Sequence, residues 1–140
     1  MDEFVWPVRV YYEDTDSGGV VYYANYLKFM ERARTEWLRS LGIEQDALLL
    51  EQGIMFVVRS VSLDYHYPAR FNDLLSVRTR IDARRKASLV FYQDVFYQDI
   101  LPRRSAQCLC SGYIKIACID AQTFKPRPIP QIFSEIVSDA

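Results

Sequence analysis

The hydrophobic period of this chain switches from two to about 3.6 and back to two, and that switch limits the layers it can build. Across residues 4–12, Phe4, Trp6, Val8, Val10 and Tyr12 alternate with Val5, Pro7, Arg9 and Tyr11, as the two faces of a strand do. Pro7 has no N–H for a ladder bond, which places this strand at a sheet edge or a bulge. From Ala24 to Leu41 the apolar positions step by three and four: Tyr26 or Leu27, Met30, Ala33 or Arg34, Trp37 and Leu41. This pattern predicts the only long helix, with Gly42 as its C-terminal stop. Arg32 with Glu36, and Glu31 with Arg34, are spaced to pair on its exposed face. A shorter helix is expected over Gln45–Gln52, ending at Gly53.

Strand alternation then returns over 54–67, 74–83, 87–99 and 104–118. In the last of these, Ala106, Cys108, Cys110, Ile114, Ile116 and Cys118 fall on one side, and Gln107, Ser111 and Lys115 on the other. Gly112 interrupts the apolar side and marks a bulge or a tight contact. The run Lys125-Pro-Arg-Pro-Ile-Pro130 is stiff and extended, and a short helix is expected over 131–137. A strand, a long helix and four long strands imply an α+β fold, an antiparallel sheet covered on one face by the helix. Val90, Tyr92 and Phe96, or their neighbours in the other register, are left for the opposite face. That surplus calls for a second sheet or a symmetric partner.

At 140 residues, half of them hydrophobic, the chain is expected to form one domain over 1–140, with a core that needs neither disulfides nor a structural metal. The formal charge of −1, from 17 basic and 18 acidic residues, gives no general attraction to nucleic acid. Two local basic clusters, Arg84-Arg85-Lys86 and Arg103-Arg104, suit solvated hairpin tips or contacts to a phosphorylated ligand. Cys108, Cys110 and Cys118 form no metal-type spacing and read as reduced core cysteines. His66 is the single histidine. Alone it supports neither a metal site nor a Ser-His-Asp set, and it reads as a strand or interface residue. No phosphate-binding or dinucleotide glycine motif is present. No stretch is apolar for long enough to cross a bilayer, and the start Met1-Asp2-Glu3 lacks a basic leader. A cytoplasmic location is therefore expected.

The most informative segment is Tyr12-Glu-Asp-Thr-Asp16-Ser-Gly18-Gly19-Val20-Val-Tyr22-Tyr23-Ala-Asn-Tyr26. It brings three carboxylates, two glycines and four tyrosines to the start of the long helix. A helix N-terminus carries backbone N–H groups without partners, which can polarise a carbonyl. A carboxylate delivered beside them can attack that carbonyl or deprotonate a water. The same residues also suit an Asx turn and a helix cap.

This segment resembles the signature of the hotdog thioesterases of the 4-hydroxybenzoyl-CoA family. Within that family the chain is most similar to the acyl-CoA thioesterases encoded beside the Tol-Pal envelope system. The resemblance runs through Trp6-Pro-Val-Arg-Val-Tyr-Tyr-Glu-Asp-Thr-Asp16, Gly18-Gly-Val-Val-Tyr22 and Asn25-Tyr-Leu-Lys-Phe-Met-Glu-Arg-Ala-Arg-Thr-Glu36. It continues through Phe56-Val-Val-Arg59, Tyr67-Pro-Ala-Arg70, Ser88-Leu-Val-Phe91 and Lys125-Pro-Arg127.

The resemblance implies a hotdog fold, a curved antiparallel sheet wrapped around one long central helix. It implies hydrolysis of acyl-CoA thioesters, with Asp16 as nucleophile or general base and the Tyr23 amide on the thioester carbonyl. Gly18, Gly19, Val20, Tyr26, Arg59 and Ser88 are implied to contact substrate, with Arg70, Arg84, Arg85 and Lys86 as further candidates for the phosphates of coenzyme A. Glu13 and Asp14 support the loop. Glu31 reads as a structural or interface charge. No metal or cofactor is implied, coenzyme A being part of the substrate. A homo-oligomer is expected, a dimer or tetramer with the site between subunits, and an acyl carrier protein is a further candidate partner. Close relatives carry histidine where this chain has Tyr23. The backbone N–H is unaffected, but a phenol is a poor base near neutrality. The alternative is a module that binds acyl-CoA or an acyl carrier protein without hydrolysis, with an envelope-related interaction role.

Overall fold

A computed structural model describes residues 3–98 and 107–133. The Arg103-Arg104 cluster, the start of the expected strand at 104 and most of the expected C-terminal helix lie outside the described residues. Five strands, β1 (Phe4–Arg9), β2 (Ile54–Tyr65), β3 (Leu74–Arg84), β4 (Ser88–Tyr97) and β5 (Cys108–Asp120), form one sheet in the order β1-β3-β4-β5-β2. Every neighbouring pair is antiparallel. β1 is an edge strand, where Pro7 withdraws no needed donor. Among the described residues two α-helices accompany the sheet, α1 (Asn25–Ser40) and the shorter α2 (Gln45–Gln52), so the single central helix that the resemblance implied is joined by a second, at the bounds expected from the sequence. α2 ends at Gly53, whose φ of 66° is the left-handed cap that glycine adopts without strain.

α1 buries Tyr26, Phe29, Met30, Ala33, Arg34, Trp37 and Leu38, two adjacent rows at steps of three and four. They meet the inward residues of the sheet, among them Val8, Leu75, Val77, Leu89, Phe91, Val95 and Ile114. Trp37 sets its ring edge-on to Phe91 at 5.9 Å. The stripe resolves one open alternative and differs from expectation in two places. Tyr26 is buried and Leu27 is exposed. Leu41 falls past the last helical turn and is also exposed. Arg34 is buried rather than paired with Glu31 on the surface. Glu31 instead accepts a hydrogen bond from the Thr35 hydroxyl at 2.7 Å. The helical period left Ala33 or Arg34 on the stripe, and both are buried, the guanidinium bonding within the core to Gln93.

β2 and β5 approach so closely at Gly112 that an added Cβ would lie 2.1 Å from the Ser62 carbonyl oxygen. The tight contact read from sequence at this glycine is therefore present. Register shifts interrupt the ladders beside Arg59, Asp82 and Leu109. The last shift corrects the cysteine pattern. Cys110 pairs with Val95 and Cys108 with Phe96, so an extra residue separates them. Cys110 and Cys118 are buried, whereas Cys108 is only partly so. Strict alternation fails there because a bulge shifts the face on which a side chain lands. Tyr12 likewise leaves the strand pattern, since residues 12–14 form a 3-10 turn in which it is exposed.

Two rings of the surplus expected on the outer sheet face lie under arginines. Arg80 lies 4.2 Å over the Tyr92 ring and Arg78 4.3 Å over the Phe96 ring. Arg78 also makes two bonds to the Asp94 carboxylate at 2.8 and 2.9 Å. Their cationic planes and aliphatic stems screen aromatic surface from water.

Candidate active site

Residues 15–21 turn back on themselves before α1. The Asp16 N–H donates to the Val20 carbonyl at 2.9 Å, the Gly19 N–H donates to the Asp16 carbonyl at 3.0 Å, and Thr15 bridges Val21. Gly19 has a φ of 80°, a backbone state open to glycine at little cost. The loop is tied to the chain after β2, with Val21 N–H donating to the Ala69 carbonyl at 2.8 Å and Val20 bridging Arg70. Asp14 anchors it from below. Its carboxylate accepts the Tyr11 N–H, and its carbonyl accepts both the Tyr22 N–H and the Asn25 side-chain amide. Glu13 is exposed and makes no such bond among the described residues.

Asp16 Oδ1 accepts the Gly18 N–H at 2.8 Å. The Asx turn is thus present, and it uses one carboxylate oxygen. The residue is exposed, and its negative charge reaches the Tyr22 hydroxyl. Tyr22 is held above the ordinary phenol range chiefly by its hydrogen bond with Tyr23, with Asp16 a smaller cause.

No side chain caps α1, and its N-cap Ala24 is already in the right-handed helical region. The N–H of Tyr23 has no acceptor among the described residues, while its carbonyl accepts the Tyr65 hydroxyl at 3.1 Å. A donor left open at a helix start is available to a ligand oxygen. Beside it lies a cavity of about 280 Å³, lined by Val21, Tyr23, Tyr26, Tyr65, His66 and Tyr67. Tyr23 and Tyr65 meet edge-on at 6.1 Å, and Tyr26 and Tyr65 at 5.6 Å. Tyr26 is almost fully buried and receives the Ala69 N–H on its hydroxyl oxygen. Burial pushes its hydroxyl up to about 12. His66 faces the same cavity, with Nε2 3.0 Å from the Ser111 hydroxyl. Tyr65 and Tyr67 were not singled out from the sequence as site residues. Their signal was the Tyr-His-Tyr run from the last residue of β2 to Pro68.

Arg59 and Ser88 lie together elsewhere. With Lys115 and Val57 they line an open cleft of about 430 Å³. Arg59 is six residues from Tyr65 along β2, roughly 20 Å at strand rise. Of the expected site residues, Tyr23 and Tyr26 line the cavity, Asp16, Gly18, Gly19 and Val20 lie on the loop that leads into it, and Arg59 and Ser88 line the other cleft. Among the described residues no group of three His, Cys, Asp or Glu side chains is placed to hold a metal ion.

A carboxylate on a turn, an open backbone donor and an aromatic cavity at one helix end suit acyl transfer at a carbonyl. The Thioesterase superfamily model matches residues 18–101. The chain belongs to the thioesterase superfamily. It is 45% identical over 128 residues to the Escherichia coli O6:H1 protein named acyl-CoA thioester hydrolase YbgC, spanning 91% of this chain and 90% of that one. It is 44% identical to the Haemophilus influenzae acyl-CoA thioesterase YbgC over 91% of this chain and 89% of the relative. Its fold matches the crystal structure of a 1,4-dihydroxy-2-naphthoyl-CoA thioesterase from Synechocystis with a TM-score of 0.88 and 25% identity, over 99% of this chain and 97% of that one. The chain is thus an enzyme of the thioester hydrolase class with the hotdog fold, and no helix among the described residues is long and apolar enough to cross a membrane.

Proposed function

We propose that this enzyme hydrolyses acyl-CoA thioesters at the start of α1, with Asp16 as the reacting carboxylate and the Tyr23 N–H on the thioester carbonyl oxygen. The carrying observation is that the loop bearing the exposed Asp16 carboxylate runs directly into the start of α1, where the unpartnered Tyr23 N–H belongs to a residue that lines the tyrosine cavity. Hydrogen bonding by Tyr23 N–H withdraws electron density from the carbonyl, and the positive end of α1 favours the oxyanion that develops. In one route the Asp16 carboxylate forms a bond to the carbonyl carbon, the C–S bond breaks, coenzyme A leaves as its thiolate, and water cleaves the mixed anhydride. In the other, Asp16 takes a proton from a water that attacks directly. Both yield the free acid and coenzyme A without a cofactor. The acyl group rests among Tyr26, Tyr65 and Tyr67.

The working unit is a homodimer, in which the sheet curves around α1 and two β2 edges pair. β2 has twelve residues and is bonded along one side only, with Val58 50% and Val61 43% exposed. A long exposed edge of this kind is a template for strand pairing. Antiparallel pairing about the middle of β2 leaves Arg59 near the two-fold axis, between the tyrosine ends of the two protomers, where it is the candidate for the phosphates of coenzyme A. Dimers pair further into a tetramer, and the enzyme works in the cytoplasm.

A thiol-release assay over short-chain, long-chain and aromatic acyl-CoAs tests the activity directly. The expected result is catalytic release of one thiol per free acid formed. Tight binding of every thioester without thiol release would replace the hydrolase by a non-hydrolytic acyl-CoA module.

A further inference from the structure

A second cavity lies under the middle of α1, away from the loop. Its volume is about 140 Å³, and Phe56, Leu89, Phe91, Ile116 and Phe133 form its apolar walls, with Arg34 and, at the rim, Glu31 on the helix side. Arg34 is only 9% exposed. Its Nη1 donates to Gln93 Oε1 at 2.9 Å. The Gln93 amide nitrogen is used by the Met30 carbonyl and the Thr79 hydroxyl, so Gln93 supplies a neutral acceptor and no charge. Among the described residues no carboxylate lies within 4.0 Å of the Arg34 guanidinium. Glu31, one turn earlier, directs its carboxylate to Thr35 at the rim.

Burial strips the Arg34 guanidinium of hydration, and Glu31 at the rim, which acts on it through space without an ion pair, offsets that cost only in part. Every fully buried side-chain nitrogen and oxygen among the described residues has a partner. The guanidinium donors not used by Gln93 are therefore not fully buried, and Arg34 borders the cavity. The volume is close to the roughly 150 Å³ of an apolar cavity that accepts benzene. A ligand with a benzene-sized body and one negative end would fill both requirements. Arg34 stands eleven residues beyond Tyr23, about 16 Å along a helix axis, so the cavity is separate from the proposed thioester site.

We propose that this cavity binds a small free monocarboxylate, with its carboxylate on the Arg34 guanidinium and its apolar body against the phenylalanine walls. The inference does not depend on hydrolysis, and it is tested in the full chain by titrating benzoate and hexanoate against benzamide and hexanamide. Trp37, which packs on Phe91 of the wall, provides a fluorescence signal, and calorimetry gives the affinity. Each acid is expected to bind at least about tenfold tighter than its amide, from the charge-assisted hydrogen bonds. Arg34→Gln is expected to erase that difference. Intermolecular NOEs from benzoate ring protons to Leu89 and Ile116 methyls in the unmodified chain locate the ligand even if the variant does not fold. Equal affinity for acid and amide, no binding, or NOEs to the tyrosine cavity instead would each overturn the proposal. Asp16→Asn is expected to leave acid binding unchanged, which separates this site from the fate of the thioesterase reading.

Discussion

The two ends of the buried stripe of α1 treat polar groups in opposite ways. At the N-terminal tip, Asp16 lies exposed on a turn and Tyr23 keeps an open N–H. One turn further in and beyond, Met30, Arg34, Gln93 and Thr79 close a hydrogen-bonded set in which Gln93 is wholly buried. At the tip, unmet hydrogen-bonding capacity faces solvent, where it costs little until a substrate arrives. In the interior unmet capacity is expensive, and the bonds of Gln93 limit it to the remaining donors of Arg34. Substitutions at the tip should therefore change turnover and leave stability alone, and substitutions in the interior should do the reverse.

The sharpest way to break this contrast is Asp16→Asn. Its side-chain oxygen can still accept the Gly18 N–H, so the turn survives. It can neither attack as a carboxylate nor take a proton from water. We expect turnover to fall by about a thousandfold or more, roughly 4 kcal/mol of activation free energy. The urea midpoint should stay near that of the unmodified chain. A large loss of stability with turnover intact would reverse the roles assigned to the two regions.

The elements around this site were legible in the sequence because each kept one hydrophobic period. The period-two runs located β1 to β5 within a few residues at each end, and the shift to 3.6 located α1. Gly42, Gly53 and Gly112 were legible because a helix stop or a close approach of strands favours glycine there. The bulge that separates Cys108 from Cys110 was not legible, since one inserted residue leaves no mark in composition. The Arg34–Gln93 bond joins residues 59 apart, and local spacing instead offered Glu31 as the partner of Arg34. The loop residues were legible through a local pattern and a family resemblance. Tyr65 and Tyr67 reach the site only through tertiary packing.

Gln93→Leu probes the interior. The change keeps approximate volume and removes bonds to Arg34, Met30 and Thr79, leaving a buried guanidinium without its acceptor. A loss of about 3 kcal/mol in unfolding free energy is expected, read from urea denaturation at constant m-value. Any activity loss measured well below the transition should be small. An unchanged midpoint would show that the network is not a stability element.

Alkaline pH separates a buried group from the exposed tip. The Tyr26 hydroxyl is pushed up to about 12 by burial, against an ordinary value near 10 in the unfolded chain. Between those values the unfolded state loses the proton first, so it binds fewer protons than the native state. Stability from this group is fully present below about pH 10 and is lost as pH rises through about 12. Urea midpoints from pH 9 to 11.5 should fall with pH, and Tyr26→Phe should flatten the slope. An equally steep fall in the variant would remove Tyr26 as its source.

Tyr23→Phe carries the smallest expected effect and tests which part of residue 23 is used. The proposal gives the work to its backbone N–H, which phenylalanine retains, while the ring contacts with Tyr22 and Tyr65 depend on shape rather than the hydroxyl. The substitution removes the hydroxyl that bonds Tyr22 and thereby holds the Tyr22 proton more tightly. Turnover should stay within about threefold of the unmodified enzyme, since an exposed neutral hydrogen bond contributes about 1 kcal/mol or less. Tyr23→His should behave similarly if the amide alone contacts the carbonyl oxygen. A hundredfold loss for phenylalanine, restored by histidine, would move the chemistry from the main chain to the side chain. It would also end the distinction between a helix tip that acts through its backbone and an interior that is held through its side chains.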